Sequence, residues 1–151
     1  MIQIGDRMPA FCAADQFGKD WHCDELLGYR TVIYAYPKDS TPGCTAEACN
    51  IRDNYERFLA AGYRVFGVSK DSRESHIRFA AKYELPFPLL SDPEHKLLEA
   101  LGAWGEKKLY GKASVGIIRS TFIFDENGAC TAIIKDVDTK NHSSQILGVM
   151  V

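Results

Sequence analysis

Thr31-Val-Ile-Tyr-Ala-Tyr-Pro-Lys-Asp-Ser-Thr-Pro-Gly-Cys-Thr-Ala-Glu-Ala-Cys49 joins a strand to a helix, and the rest of the chain is read outward from it. Its first six residues are almost continuously apolar or β-branched, the pattern of a central strand covered on both faces. The turn that follows ends at Thr41, suited to a helix N-cap, and Pro42, suited to the first helical position. Cys44 then falls at the third position of the first turn, where free backbone N–H groups and the positive end of the helix dipole favour an anion. A cysteine so placed is expected to have a lowered pKa and to be partly thiolate at neutral pH. The Thr41 hydroxyl, capping toward the same position, is expected beside the sulfur. Junctions between a strand end and a helix start are also where open α/β sheets usually bind ligands.

Further along, Arg64-Val-Phe-Gly-Val-Ser69 and Ser120-Thr-Phe-Ile-Phe-Asp125 read as strands. Asn127-Gly128 signals a hairpin into Cys130-Thr-Ala-Ile-Ile134, which adds an antiparallel strand. Helices are predicted over 42–61, closed by Gly62, and over 73–83. A third starts after Asp92 with Pro93 in first position and stops at Gly102, and a short final helix covers 142–149. The order predicts an α/β fold with a central mixed β-sheet flanked by helices on both faces, and the terminal hairpin argues against an all-parallel nucleotide fold. Gly102-Ala-Trp-Gly105 and Lys107-Lys-Leu-Tyr-Gly111 match no phosphate-binding loop and read as turns.

Helical geometry separates Cys44 from Cys49. The apolar stripe Ala48, Ile51, Tyr55, Phe58 and Leu59 places Cys44 near its centre, facing inward. At about 100° per residue Cys49 projects roughly 140° away, along the edge shared with Arg52, Asp53 and Glu56. In an intact helix their Cα atoms stand about 8.7 Å apart. A disulfide tolerates no more than about 7 Å, so a bond between them requires local opening. Cys12, Cys23 and Cys130 lie in strand-like or loop contexts without partners and read as structural. The histidines at 22, 76, 95 and 142 share no ligand spacing and read as surface residues, not metal ligands or catalytic bases.

Length and composition bound the rest. One domain, residues 1–151, accounts for the chain, with 46% hydrophobic and 25% charged residues. Eighteen Lys and Arg against twenty Asp and Glu give a formal charge of −2, so bulk charge offers no pull toward nucleic acid or an anionic membrane. The start, Met1-Ile-Gln-Ile-Gly-Asp6, has no signal-peptide pattern, and no window approaches a membrane span, so a cytoplasmic protein is expected. Five cysteines cannot all pair within one chain, which fits free thiols in a reducing compartment.

The segment from Tyr36 to Cys49 contains a Pro-x-x-x-Thr-x-x-Cys motif with a second cysteine five residues on, and it resembles the peroxiredoxins, specifically the bacterioferritin comigratory protein (Q-type) subfamily. The similarity continues through Gly67–Ser72, Glu74–His76, Lys82–Asp92, Trp104–Gly111 and Gly116–Phe122, in the family's order. The stretch from Asn141 onward is shorter and richer in Ser and Gly than the charged helix of relatives. The resemblance implies a thioredoxin fold and a peroxidase reducing hydrogen peroxide and organic hydroperoxides without a cofactor or metal. It makes Cys44 the peroxidatic cysteine and Cys49 the resolving one, with Pro37, Thr41 and Arg119 at the remaining active-site positions. Arg119 would stabilise the thiolate and polarise the peroxide, Thr41 would accept from the hydroperoxide, and Pro37 would shield the pocket from water. Glu47, one turn beyond Cys44, either orients Arg119 or is an exposed helical carboxylate. Thioredoxin or another dithiol is the implied reductant, and a monomer or weak dimer the expected assembly. Two other classes stay open: a thiol–disulfide oxidoreductase, which would want CxxC where this chain has CxxxxC, and a non-enzymatic redox-regulated binding module.

Overall fold

Alternation along the apolar strands sorts the core into two layers. Val32, Tyr34, Tyr36, Val65 and Ile123 pack on one side of the sheet with Cys44, Ala48, Ile51, Phe58, Phe79 and Ile146. Ile33, Ala35, Phe66, Val68, Phe122 and Phe124 pack on the other with Leu26, Leu97, Leu98 and Leu101. The computed structural model describes residues 1–109 and 111–149; Tyr110, Met150 and Val151, which fall within stretches read above, lie outside them.

In chain order the elements are β1 (Cys12–Ala14), β2 (Asp20–His22), a 3-10 turn (Cys23–Leu26), β3 (Arg30–Ala35), α1 (Pro42–Asp53), α2 (Tyr55–Ala60), β4 (Tyr63–Ser69), α3 (Arg73–Tyr83), β5 (Leu89–Ser91), α4 (Lys96–Leu101), β6 (Trp104–Leu109), β7 (Lys112–Ile117), β8 (Ser120–Phe124), β9 (Cys130–Ile134) and α5 (His142–Val149). The central sheet has the order β5-β4-β3-β8-β9. Strands β3, β4 and β5 run parallel, and β8 and β9 run antiparallel to their neighbours, the latter through the hairpin expected at Asn127-Gly128. Helices α1, α2, α3 and α5 contribute to one core layer and α4 to the other, as the mixed sandwich requires. Gly67 is needed in β4 because a Cβ there would stand 2.9 Å from both Leu89 and the Tyr34 ring.

Three local expectations are corrected. The helix read over 42–61 breaks at Asn54, whose backbone leaves helical angles at φ −113°, ψ 9°. The cause is competition for a carbonyl: the Asn54 side-chain amide and the Ser143 hydroxyl both donate to the Asn50 carbonyl, at 2.9 and 3.0 Å. Beyond the break the stripe continues through Tyr55 and buried Phe58, and only Leu59, 49% exposed, falls outside it. Next, α4 begins at Lys96, not Pro93. Asp92, Pro93, Glu94 and His95 instead close a turn through His95 N–H to the Asp92 carbonyl, with aspartate and proline in their favoured turn positions. The Asp92 carboxylate then accepts from Leu98 N–H at 2.8 Å. Finally, the stretches 102–105 and 107–111 read as turns are so only in part: Gly102 caps α4 in the left-handed conformation, but Trp104–Leu109 is strand β6, paired with β7 in a hairpin. Its signal is weak in sequence because Gly105 faces Gly116 across it and lysines interrupt the alternation.

Candidate active site

Helix α1 starts where the sequence puts it, with Thr41 at the N-cap in extended conformation and Pro42 in first position. Cys44 is 1% exposed, its side chain turned into the core layer with Ala48 and Ile51. The Thr41 hydroxyl, however, does not cap toward Cys44; it donates back to the Lys38 carbonyl at 2.8 Å. The side chain thereby fastens the preceding turn, and the first-turn N–H groups stay without a side-chain acceptor.

Arg119, in the two-residue link between β7 and β8, reaches the helix from the sheet. One guanidinium nitrogen donates to Cys44 Sγ at 3.2 Å and the other to Glu47 Oε1 at 2.5 Å. Gly43 permits this approach, since a Cβ there would stand 3.3 Å from the guanidinium. Glu47 is fully buried, so of the two readings left open the exposed carboxylate is excluded. Burial pushes its carboxyl up to about 7 despite the opposing effect of Arg119. The other carboxylate oxygen, Oε2, is buried without a hydrogen-bond partner and lies 3.6 Å from His142 Nε2.

His76 and His142 correct the surface reading, for both are fully buried. His142, on α5, lies beside the Thr121 hydroxyl (2.6 Å) and Gln145 Oε1 (2.8 Å), and burial depresses its pKa. His76, on α3, holds Asp39 Oδ2 at 2.7 Å through Nδ1, while Nε2 donates to the Leu90 carbonyl at 3.1 Å. Asp39 also accepts from the Tyr36 hydroxyl (2.6 Å) and the Ser75 hydroxyl (2.8 Å). Its backbone N–H donates to Asp71, which accepts from Ser69 as well. Between Asp39 and Thr41 this clamp holds Ser40 at φ 63°, a left-handed backbone that a non-glycine residue adopts only under constraint. Sequence spacing could not find these partners, which stand 37 and 95 residues apart.

Asp39, Asp71 and His76 bring three potential ligand atoms within 4.8 Å of one another, the one such group among the described residues. Hydrogen bonds already occupy those atoms, which makes the group a polar clamp and a poor metal site. Pro37 is half-buried and walls a cavity of about 400 Å³ with Lys38, Trp104, Lys107, Val115 and Ile117. Cys49 is half-buried on the same helix as Cys44. Cys130 is buried as expected of a structural thiol, Cys23 is half-buried and Cys12 is exposed.

Residues 4–133 match the AhpC/TSA family. Peroxiredoxin Bcp of Escherichia coli (strain K12) is 41% identical over 146 residues, covering 97% of this chain and 94% of that protein. Peroxiredoxin Bcp of Bacillus subtilis (strain 168) is 42% identical over 146 residues, covering 97% and 93%. Among solved structures, the Xanthomonas campestris bacterioferritin comigratory protein, described for its alkyl peroxide reduction activity, superposes with a TM-score of 0.86 at 36% identity, over 91% of this chain and 88% of that one. The chain belongs to the AhpC/TSA family, in its peroxiredoxin Bcp (Q-type) branch, with the thioredoxin fold of that class. As a member it is a thiol-dependent peroxidase.

Proposed function

We propose that Cys44 is the nucleophile of this peroxidase and Cys49 its resolving partner, within one domain. The observation that carries the reading is the Arg119 guanidinium, shared between Cys44 Sγ and buried Glu47 at a helix N-terminus. A fixed cation 3.2 Å from sulfur favours the thiolate, and its remaining donor capacity can polarise an incoming peroxide. The thiolate attacks the terminal oxygen of a hydroperoxide, the O–O bond breaks, and the departing oxygen takes a proton to leave as water or alcohol. Cys44 becomes a sulfenic acid, which condenses with the Cys49 thiol to a disulfide and releases water. Thioredoxin or another dithiol then reduces that disulfide by exchange, regenerating both thiols. Thr41 accepts from the hydroperoxide at the helix start, and Pro37 shields the sulfur from water. The supply of dithiol this cycle needs fits a reducing cytoplasm and a monomer or weak dimer that leaves the helix accessible.

Both cysteines lie on continuous α1. Their expected Cα separation of about 8.7 Å means that disulfide formation unwinds at least the first two turns. Replacing Cys44 by serine should abolish peroxide consumption, while Cys12→Ser, Cys23→Ser and Cys130→Ser retain most of it. Full activity in Cys44→Ser overturns the assignment. On oxidation, amide exchange should accelerate over residues 43–53, with the Cys44–Cys49 bond verified by peptide mapping.

A further inference from the structure

The carboxylate behind Arg119 is incomplete as a hydrogen-bonded group. Glu47 Oε1 is taken by Arg119, but Oε2 is buried with no donor. Native structures rarely leave such an atom unsatisfied, and it asks for an explanation. His142 Nε2 stands 3.6 Å from it. The protonation of that ring can be read from its surroundings. Gln145 Oε1 accepts the Asp138 N–H (2.8 Å) while Gln145 Nε2 donates to the Asp136 carbonyl (2.8 Å), so the oxygen is the atom facing the ring. His142 Nδ1, 2.8 Å from that oxygen, therefore carries a proton and donates. In the neutral ring Nε2 is then a bare acceptor, served by the Thr121 hydroxyl at 2.6 Å. Two lone-pair-bearing atoms, Nε2 and Oε2, consequently face each other in a buried site, an arrangement that one added proton relieves.

We propose that His142 is a positioning residue for the peroxidase site: with Glu47 it holds one proton behind Arg119, and that proton decides how much of the Arg119 charge is free to act on Cys44. The proton sits on Oε2 or Nε2 and exchanges with solvent. With it in place the pair is not a net anion, and Arg119 faces the sulfur uncompensated. Without it the Glu47 carboxylate competes for the same guanidinium and adds a negative charge one turn from Cys44. The linkage is reciprocal, so a thiolate at Cys44 tightens the proton on the pair, and conversion to a neutral sulfenic acid or disulfide loosens it. The groups facing the pair do not duplicate this role. Arg119 stays charged, Tyr34 from β3 is kept a neutral phenol by burial, and Asp138, held below the usual carboxylate range by Asn141 and Lys140, stays ionised. Burial raises Glu47 to about 7 and lowers His142, displacing each toward its neutral form.

The inference rests on Cys44 as the reactive thiol, and its test reads the carboxyl directly so that the two can fail separately. Carbon-13 NMR of selectively labelled glutamate should show one carboxyl, assigned to Glu47 by its loss in Glu47→Gln, titrating near 7 in the reduced protein. In Cys44→Ser the midpoint should fall by about one pH unit, the scale of removing a nearby negative charge in a partly shielded site. His142→Asn supplies an N–H to Oε2 and should lower the midpoint as well. Its second-order rate with hydrogen peroxide should drop about tenfold at pH 6, where the wild-type pair holds its proton, with the loss shrinking toward pH 8.5. A Glu47 carboxyl that titrates in the ordinary range in reduced wild type, or at one midpoint in wild type and Cys44→Ser, overturns the proposal. A rate loss in His142→Asn that is uniform across pH does the same. If His142→Asn does not fold, the wild-type and Cys44→Ser titrations decide alone.

Discussion

Two buried carboxylate–histidine pairs flank Cys44, and they are built to opposite specifications. Asp39 with His76 stands on the side of α3, with both carboxylate oxygens hydrogen-bonded and both ring nitrogens engaged. Glu47 with His142 stands on the side of α5, with one oxygen orphaned and a gap of 3.6 Å across the pair. The first pins the turn that carries Ser40 and Thr41 into α1. The second leaves its charge open to titration. The same two residue types thus give a rigid clamp where every atom is matched and an adjustable charge where one is not.

The largest effect expected from this contrast is on folding. Asp39→Ala leaves His76 without its charged partner in a buried site, and urea denaturation should report a loss of about 3–5 kcal/mol. A cost below about 1 kcal/mol would remove the clamp from the comparison. On the other side the effect should appear in rate. Arg119→Lys keeps the charge but loses the planar fork that spans sulfur and carboxylate, and stopped-flow measurement should find peroxide consumption slower by roughly 10- to 1,000-fold. A rate within error of wild type would show that the fork is not needed.

The third prediction concerns pH. Folded Glu47 keeps its proton up to about 7, whereas the unfolded chain releases it near 4.5. Between those values the native state binds more protons, so this contribution to stability is complete below 4.5 and is lost as pH rises through about 7. Stability of wild type relative to Glu47→Gln should therefore fall by about 1–3 kcal/mol across that interval. His142, lowered on folding, contributes with the opposite sign: its stability is lost as pH falls below its usual 6.5. A flat difference curve would make the two pairs equivalent. The smallest effect is expected at Asn50, whose side chain accepts from Ser143 N–H and donates to the Lys140 carbonyl. Asn50→Ala should cost about 1–2 kcal/mol and speed amide exchange in α5, without touching the Asp39 clamp.

Legibility in the sequence followed the range of the interactions. Continuous apolar runs named β3, β4 and β8, the Asn127-Gly128 pair gave the hairpin, and α3 and α5 have the bounds read from their caps and patterning. The placement of Cys44 inside the first turn, facing the core, was also legible, because N-caps and helical phase are local. What escaped depends on partners distant in the chain. His76 and His142 read as surface residues because nothing near them in sequence matches a buried role; only the folded sheet brings Asp39 and Glu47 against them. The break at Asn54 arises in part from Ser143, and the Thr41 hydroxyl turns back to donate to the Lys38 carbonyl instead of accepting from a first-turn N–H.

The break at Asn54 would set the size of the piece that melts in the proposed cycle. A single rod over 42–61 would couple the cysteines to Phe58 and the sheet beneath it, since helical order is cooperative along its length. Because the Asn54 N–H shifts from the Asn50 carbonyl to that of Ile51, α1 ends as a unit of 12 residues, and α2 would remain seated through Phe58 if the proposed opening separated the turns around Cys44 and Cys49. In the proposed cycle Asn54 would work as a fuse, confining the opening to the segment a reductant has to grasp and leaving the remainder of the molecule as the template on which α1 winds up again.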